Sequence, residues 1–229
     1  MIIIGKVTIQ EFTTKNPIQM IGYEAGVCWG ADVSNKERNY KRGIECLENE
    51  HGRTFEFPDI YMTIDGYSAR VIREWYTHIG CLPARLQAST RYIDYDNFDY
   101  VIPPSIKNAS AGAYIAYTDV IDSIRDGLKR LEAFGIPRED SALLLPLGMK
   151  TKIVDKRNLR NLIDMSHQRM CTCAYWEYRE LFKDLCKALS DYSFEWATLV
   201  AGYFEPKCKY LGYCNEGKRS CGLMPVKEL

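Results

Sequence analysis

The densest set of side chains suited to binding an anion lies in an eight-residue stretch that ends at Tyr92. If this stretch is extended, alternate residues point the same way, and Arg85, Gln87, Ser89 and Arg91 would line one face. An arginine fork pairs with phosphate oxygens, a serine hydroxyl donates to the same group, and a glutamine amide contacts sugar or base. A solvated polar edge after a helix is the alternative, and the spacing alone favours that interpretation.

A second group of polar residues lies further along the chain and comprises Asn158, Arg160, Asp164, His167 and Arg169. On a helix, spacings of four and three place Arg160, Asp164 and His167 on one face. Such a face either meets a cofactor or forms a surface ladder of ion pairs, and by itself the ladder is favoured. A single histidine such as His78 is more often a core or surface residue than a ligand.

Nine cysteines are many for this length, and the N-terminal residues MIIIGKVTIQ lack the features of an export signal. Reduced thiols in a cytoplasmic protein are therefore expected. Cys208, Cys214 and Cys221 follow one another at intervals of six and seven residues, among glycines and lysines. This pattern indicates a small knuckle held by zinc, completed by Cys171, Cys173 or a histidine, or alternatively an iron–sulfur cluster. Three unliganded thiols on a loose tail are the other interpretation, and it is slightly favoured.

The bulk composition limits the class of protein. A chain of 229 residues, 46% hydrophobic, can bury one sizeable core. Lys+Arg and Asp+Glu are equal at 30 each, which argues against a nucleic-acid partner but allows a local anion site. The apolar runs are too short to span a membrane, so no membrane partner is expected. We expect a main domain over residues 1–200 and a cysteine-containing tail over residues 201–229.

The elements that must position these residues are mixed. A strand is predicted over residues 2–12, a helix from Ser34 or Asn35 to Gly52, and an extended segment over 54–64 before a turn at Gly66. Helices are also predicted from Ser68 to Gly80 and over residues 111–134. Residues 148–152 read as a connection, and Asp155 as the cap of a long helical region interrupted near Cys171.

Strands and helices follow one another without a regular βαβ rhythm, and the GxGxxG fingerprint is absent. The predicted fold is therefore α+β, with a mixed or antiparallel sheet flanked by helices.

The two polar segments, taken in this order, resemble the flavin-dependent thymidylate synthases. The resemblance runs from about residue 25 to residue 190. The matching residues are Arg73-Glu74-Trp75-Tyr76, His78, Gln87-Ala88-Ser89-Thr90-Arg91-Tyr92, Leu145-Pro146, Asn158-Leu159-Arg160, Arg169 and Ala174-Tyr175-Trp176-Glu177.

The resemblance implies a homotetramer of the thymidylate synthase-complementing type, with FAD bound between subunits. The implied reaction methylates dUMP to dTMP, with methylenetetrahydrofolate as the carbon donor and NADPH as the reductant. Arg169 would be catalytic, and the residues that bind dUMP would be Glu74, Gln87, Ser89, Arg91 and Arg169. The residues that bind FAD would be His78, Arg85, Asn158, Arg160 and Asp164.

The chain departs from the family pattern in three places. Thr77 and Ile79 stand where the family has the arginines of an Arg-His-Arg triplet, and Ala142 stands where it has an arginine before Leu-Pro. Arg85 could supply a replacement charge. Two other functions fit these changes: a related flavin- and folate-dependent pyrimidine modification such as hydroxymethylation, or nucleotide binding without catalysis.

Overall fold

The computed structural model describes residues 5–227. Its sheet is antiparallel and has four strands in the order β1-β2-β4-β3. The strands are β1 (Lys6–Ile9), β2 (Asp59–Ser68), β3 (Ala84–Gln87) and β4 (Lys150–Asn158). The predicted α+β class and the antiparallel sheet are thereby confirmed.

Helices form most of the remaining structure. They are α1 (Pro17–Cys28), α2 (Lys36–Glu48), α3 (Ala69–Trp75), α4 (Pro104–Lys107), α5 (Ala111–Ala133), α6 (Arg138–Ser141), α7 (Leu159–Arg169), α8 (Trp176–Tyr192), α9 (Phe194–Tyr203) and α10 (Lys207–Leu211). Short 3₁₀ turns cover Gly52–Glu56, Ala142–Leu144 and Gly217–Arg219. Side-chain oxygens of Asn35, Ser68 and Asn158 accept the backbone N–H three residues on, as helix caps do.

The described chain divides into two compact units. The first contains residues 5, 64–77 and 86–153, and the second contains residues 6–63, 78–85 and 154–227. In the first unit, Phe98, Ile121, Leu128 and Met149 form a buried cluster. In the second, α1, α2, α7, α8 and α9 all contribute buried apolar side chains. Strands β2 and β4 each have residues in both units.

Several sequence predictions agree with the structure. The helix predicted over 111–134 is α5, the cap at Ser68 begins α3, and the interruption near Cys171 separates α7 from α8. The first residues of the predicted N-terminal strand, 2–4, lie outside the described residues.

Three other predictions were wrong. Residues 54–56 of the segment predicted to be extended over 54–64 belong to the 3₁₀ turn Gly52–Glu56, whereas residues 59–64 do lie in β2. Gly66 does not end a strand, because it lies inside β2 with a φ of 80° that favours glycine. Residues 150–158 form β4, so Asp155 is a strand residue and the cap of α7 is Asn158. Within residues 5–227, no helix is long and apolar enough to span a bilayer.

Candidate active site

Arg169 and His78 are in direct contact within the second unit. Arg169 is the last residue of α7, and His78 lies in the segment that follows α3. The Nε–H of Arg169 donates to Nε2 of His78 at 2.9 Å. The guanidinium carbon of Arg169 also lies 4.4 Å from the centre of the Tyr178 ring, within cation–π distance. The structure therefore brings together two residues that are 91 positions apart in the sequence.

The hydrogen bond from Arg169 requires an unprotonated nitrogen on His78. Burial, the cation of Arg169 and the cation of Arg157 together lower the pKa of His78 to about 4. The imidazole is consequently neutral near pH 7, with Nε2 as acceptor and the proton on Nδ1. A neutral histidine fixes the guanidinium while leaving its positive charge uncompensated by this partner.

A buried ion pair anchors the backbone of His78. Nη1 of Arg157 donates to the His78 carbonyl at 3.1 Å and to Oδ1 of Asn161 at 2.6 Å. The same guanidinium contacts both carboxylate oxygens of Asp155, at 2.6 and 3.0 Å. The side chains of Arg157 and Asp155 are fully buried. This network could not be predicted from the sequence, in which Asp155 was expected to cap a helix and Arg157 had no expected role.

The predicted polar face of α7 lines a cavity. Arg160, Asp164 and His167 all border a space of about 430 Å³ in the second unit. Nη1 of Arg160 lies 2.5 Å from Oε1 of Glu56. The ring of His167 stacks on Tyr210, with the centroids 5.0 Å apart and an interplanar angle of 24°. The predicted sharing of one helix face is confirmed, and the face borders a cavity as well as carrying an ion pair.

The lining of this cavity is mixed in charge, because Arg160 and His167 lie beside the carboxyl groups of Glu48, Glu50, Asp164 and Glu205. Burial raises the pKa of the Asp164 carboxyl group, although the positive charges of Arg160 and His167 oppose this shift. Burial lowers the pKa of the His167 imidazole, although the negative charge of Asp164 opposes this shift. A guanidinium, a phenol and an imidazole around one cavity can contact phosphates and a planar ring system. These three side chains are suited to contact part of a flavin dinucleotide, whereas the four carboxyl groups of the lining disfavour a phosphate beside them.

The other two residues predicted to bind FAD, Asn158 and Arg85, are not among the residues that line this cavity. The side-chain oxygen of Asn158 accepts from the backbone N–H of Asn161 at 3.0 Å, which caps α7. Arg85 lies in β3 and is half-buried.

The residues predicted to bind dUMP, apart from Arg169, lie in the first unit. Nε2 of Gln87 is 3.3 Å from Oγ1 of Thr151, and Oγ of Ser89 accepts from the backbone N–H of Arg91. Nε of Arg91 lies 2.7 Å from the Glu139 carboxylate, in an exposed ion pair. Strand β3 ends at Gln87, so the extended conformation does not continue through Ser89 and Arg91.

Two other positions in the first unit bear on the substrate prediction. Glu74 is half-buried in α3. Ala142 and Arg138 line the same small cavity, where Arg138 lies 3.7 Å from Asp94 and 3.5 Å from Glu132. A cation is therefore present one helical turn before the position at which the family has an arginine.

A family model described as thymidylate synthase complementing protein matches residues 11–192. This chain belongs to that family. It is 31% identical over 223 residues to the flavin-dependent thymidylate synthase of Nitratidesulfovibrio vulgaris, with 90% of this chain and 87% of the relative covered. It is 27% identical over 240 residues to the enzyme of the same name from Clostridium tetani, with 95% and 93% covered. For the corresponding Pyrococcus horikoshii protein the identity is 31% over 227 residues, with 92% and 90% covered.

The thymidylate synthase complementing family match includes every residue predicted to bind nucleotide or flavin. Cys208, Cys214 and Cys221 lie after its last matched residue. All nine cysteines are free thiols. Among residues 5–227, no three His, Cys, Asp or Glu side chains are close enough to form a ready-made metal site.

Proposed function

We propose that this member of the family catalyses the FAD-dependent reductive methylation of dUMP to dTMP. Methylenetetrahydrofolate would supply the carbon and NADPH the reducing equivalents. The observation that carries the proposal is the contact between Arg169 and neutral His78. The names of the relatives, which are flavin-dependent thymidylate synthases, support the same reaction.

The proposed role of Arg169 follows from the chemistry of the pyrimidine. Bond formation at C5 requires an electron-rich ring, and a cation beside the ring stabilises the negative charge that develops there. The hydrogen bond to His78 and the contact with the Tyr178 ring hold this cation in one orientation. Bound FAD, once reduced, would supply the hydride that completes the methyl group. No cysteine is required as a nucleophile in this scheme.

Nucleotide binding is assigned to Glu74, Gln87, Ser89 and Arg91. The Arg91–Glu139 ion pair is exposed on both sides, and such pairs contribute less than about 1 kcal/mol. A substrate phosphate, with its larger charge, can therefore displace the carboxylate and accept from the Arg91 fork and the Ser89 hydroxyl.

Flavin binding is assigned to the cavity beside α7. Arg160 would pair with a phosphate, and the stacked His167 and Tyr210 rings offer a flat surface to an aromatic group. Gly52 borders the same cavity, where a β-carbon would lie 3.6 Å from Cζ of Arg160. His78, Arg85, Asn158 and Asp164 complete the proposed flavin-binding set.

Tritium release from C5-labelled dUMP, measured with methylenetetrahydrofolate, NADPH and FAD, tests the assignment. Arg169→Ala is expected to lower kcat by about 10²–10³-fold, because it removes charge stabilisation in the transition state. Arg91→Ala is expected to raise KM for dUMP about tenfold or more, by loss of a charged hydrogen bond. Arg38→Ala, at an exposed position on α2, is the matched control and should change neither constant. Unchanged turnover in Arg169→Ala would refute the catalytic role.

Identification of the product separates the remaining functions. Chromatography that finds dTMP supports the proposal, whereas a 5-hydroxymethyl product would indicate the related modification. Protein that binds dUMP but neither takes up FAD nor releases tritium would be a nucleotide-binding protein without this activity. The absorption spectrum of the protein with added FAD, bleached by NADPH, distinguishes the last case from an inactive assay.

A further inference from the structure

Five cysteines from two distant stretches of the chain surround one small cavity in the second unit. Cys171 and Cys173 lie in the turn between α7 and α8, Cys208 lies in α10, and Cys214 and Cys221 follow it. The cavity has a volume of about 30 Å³. That space is larger than the roughly 10–15 Å³ needed for one water molecule, and it is large enough for a single metal ion.

Cys208 lines this cavity together with Cys171, Cys214 and Cys221. Sulfur atoms that share a confined space repel one another when ionised, and a bound cation removes that repulsion. Cys173 differs from the other four, because its thiol lies 3.4 Å from the Arg219 carbonyl as a hydrogen-bond donor.

Two of the sulfurs accept hydrogen bonds that favour the thiolate. The backbone N–H of Glu216 donates to Sγ of Cys214 at 3.5 Å, two residues after the cysteine. Sγ of Cys221 accepts hydrogen bonds from the side chain of Thr172 and from the backbone N–H of Leu223, again two residues after the cysteine. Donors aimed at a sulfur stabilise the deprotonated form that binds metals.

The tail that carries three of these cysteines has almost no apolar core. Between residues 205 and 227, Cys214 is the only buried residue. The segment is nevertheless folded back on itself: the N–H of Cys214 donates to the Pro225 carbonyl at 2.7 Å, and the N–H of Lys227 donates to the Cys214 carbonyl at 3.1 Å. Small segments without a hydrophobic core usually require a cross-link or a metal to hold such a shape.

We propose that Cys171, Cys208, Cys214 and Cys221 bind one zinc ion as four thiolates, with Cys173 outside the ligand set. The sulfurs line the walls of the cavity but do not yet converge to ligand distances. Rotation of the four cysteine side chains must therefore bring their sulfur atoms inward when zinc binds. Four Zn–S bonds then form, and the thiol protons are released to solvent. The site would join the tail to the α7–α8 turn, and the inference does not depend on the proposed reaction.

Metal analysis of the full chain, purified without chelators, tests the proposal. We expect about one zinc per chain, as for a mononuclear tetrathiolate site. Cys208→Ser and Cys221→Ser should each lower the zinc content at least tenfold. Cys173→Ser and Cys28→Ser should retain it, since Cys28 is an exposed cysteine at the end of α1. Circular dichroism of each variant verifies that the helices remain folded, and the exposed position of Cys221 makes its variant the safer comparison.

Several results would overturn the proposal. One is protein that contains no zinc and in which all nine thiols react with a thiol reagent. Disulfides among the five cysteines would be equally decisive, as would iron accompanied by acid-labile sulfide. Zinc retained at full occupancy in both folded Cys208→Ser and Cys221→Ser would exclude this ligand set.

Discussion

The ion pair between Asp155 and Arg157 is the residue-scale feature on which the geometry around His78 depends. Both side chains are fully buried, and Arg157 is the link between the strand end and the His78 carbonyl. Removing charges from water is costly, so such a pair is tolerated only when hydrogen bonds satisfy both partners. Here Asn161 and the His78 carbonyl provide the additional acceptors.

Neutralising one partner should expose this dependence. Asp155→Asn leaves Arg157 buried without its counter-ion, and we expect a loss of about 3–5 kcal/mol in the free energy of unfolding. Asp65→Asn is a matched control, because Asp65 pairs with Lys152 at 2.7 Å in a half-exposed ion pair. That control should cost less than about 1 kcal/mol. Urea unfolding at one fixed protein concentration measures both, and equal losses would contradict the assigned role of Asp155.

The residues proposed to act on the substrate could be predicted from the sequence, whereas the buried residues that hold them in place could not. Arg169 and His78 were assigned through a resemblance that depends on residue type and order. Asp155 precedes a helix by a few residues, and aspartate is a common cap, so local pattern assigned it wrongly. Its partner Arg157 becomes apparent only when the chain is folded, because a buried arginine gives no hydrophobic signal in the sequence.

At the scale of elements, α1 and α2 pack with their backbones in unusually close approach. A β-carbon on Gly22 would overlap the Asn39 carbonyl oxygen and come within 2.6 Å of the Gly43 nitrogen. A β-carbon on Gly43 would in turn overlap the carbonyl oxygen of Ile18. Each glycine therefore serves the contact between helices, since the backbone of the other helix cannot move aside as a side chain can.

Alanine substitutions at two helical glycines distinguish the effect of this close contact on stability from the effect of helix propensity. Gly22→Ala is expected to destabilise the chain by about 1–3 kcal/mol or more, as overpacking does. Gly202→Ala, in α9, meets no atom within 4 Å and should stabilise by about 0.5–1 kcal/mol. Thermal or urea unfolding of the two variants gives the comparison. If Gly22→Ala is as stable as Gly202→Ala, the close packing of α1 against α2 is not present in solution.

Element prediction from sequence succeeded where one physical signal dominated. In α5, apolar residues recur at helical spacing over six turns, and no strand interpretation competes. In β4, the buried positions are Thr151, Ile153, Asp155, Arg157 and Asn158. The first four recur with a period of two, as in any strand, but three of those four are polar, so hydrophobic alternation did not reveal the strand.

At the scale of the whole molecule, α5 leaves apolar side chains exposed that a second copy of the chain would cover in the expected homotetramer. Only Ile121 and Leu128 of its 23 residues are buried, whereas Ile115 and Val120 are 55% and 59% exposed. Apolar side chains exposed on one helix are typical of a surface that is covered in an assembly. The homotetramer implied by the family resemblance would cover this helix with a second copy of the chain, because symmetric association repeats one contact in each chain.

A charge placed on this helix should therefore change the assembly. We expect the unmodified protein to sediment at about four times the chain mass of 26.4 kDa. The Val120→Asp variant should sediment as a smaller species, because a carboxylate buried without a partner opposes association. Val27→Asp is the matched control: Val27 is 54% exposed on α1, and the same change there should leave the mass unaltered. Sedimentation equilibrium at several concentrations measures all three proteins. If Val120→Asp keeps the mass of the unmodified protein, α5 does not form the contact between subunits, and if the unmodified protein is a monomer, the homotetramer itself is refuted.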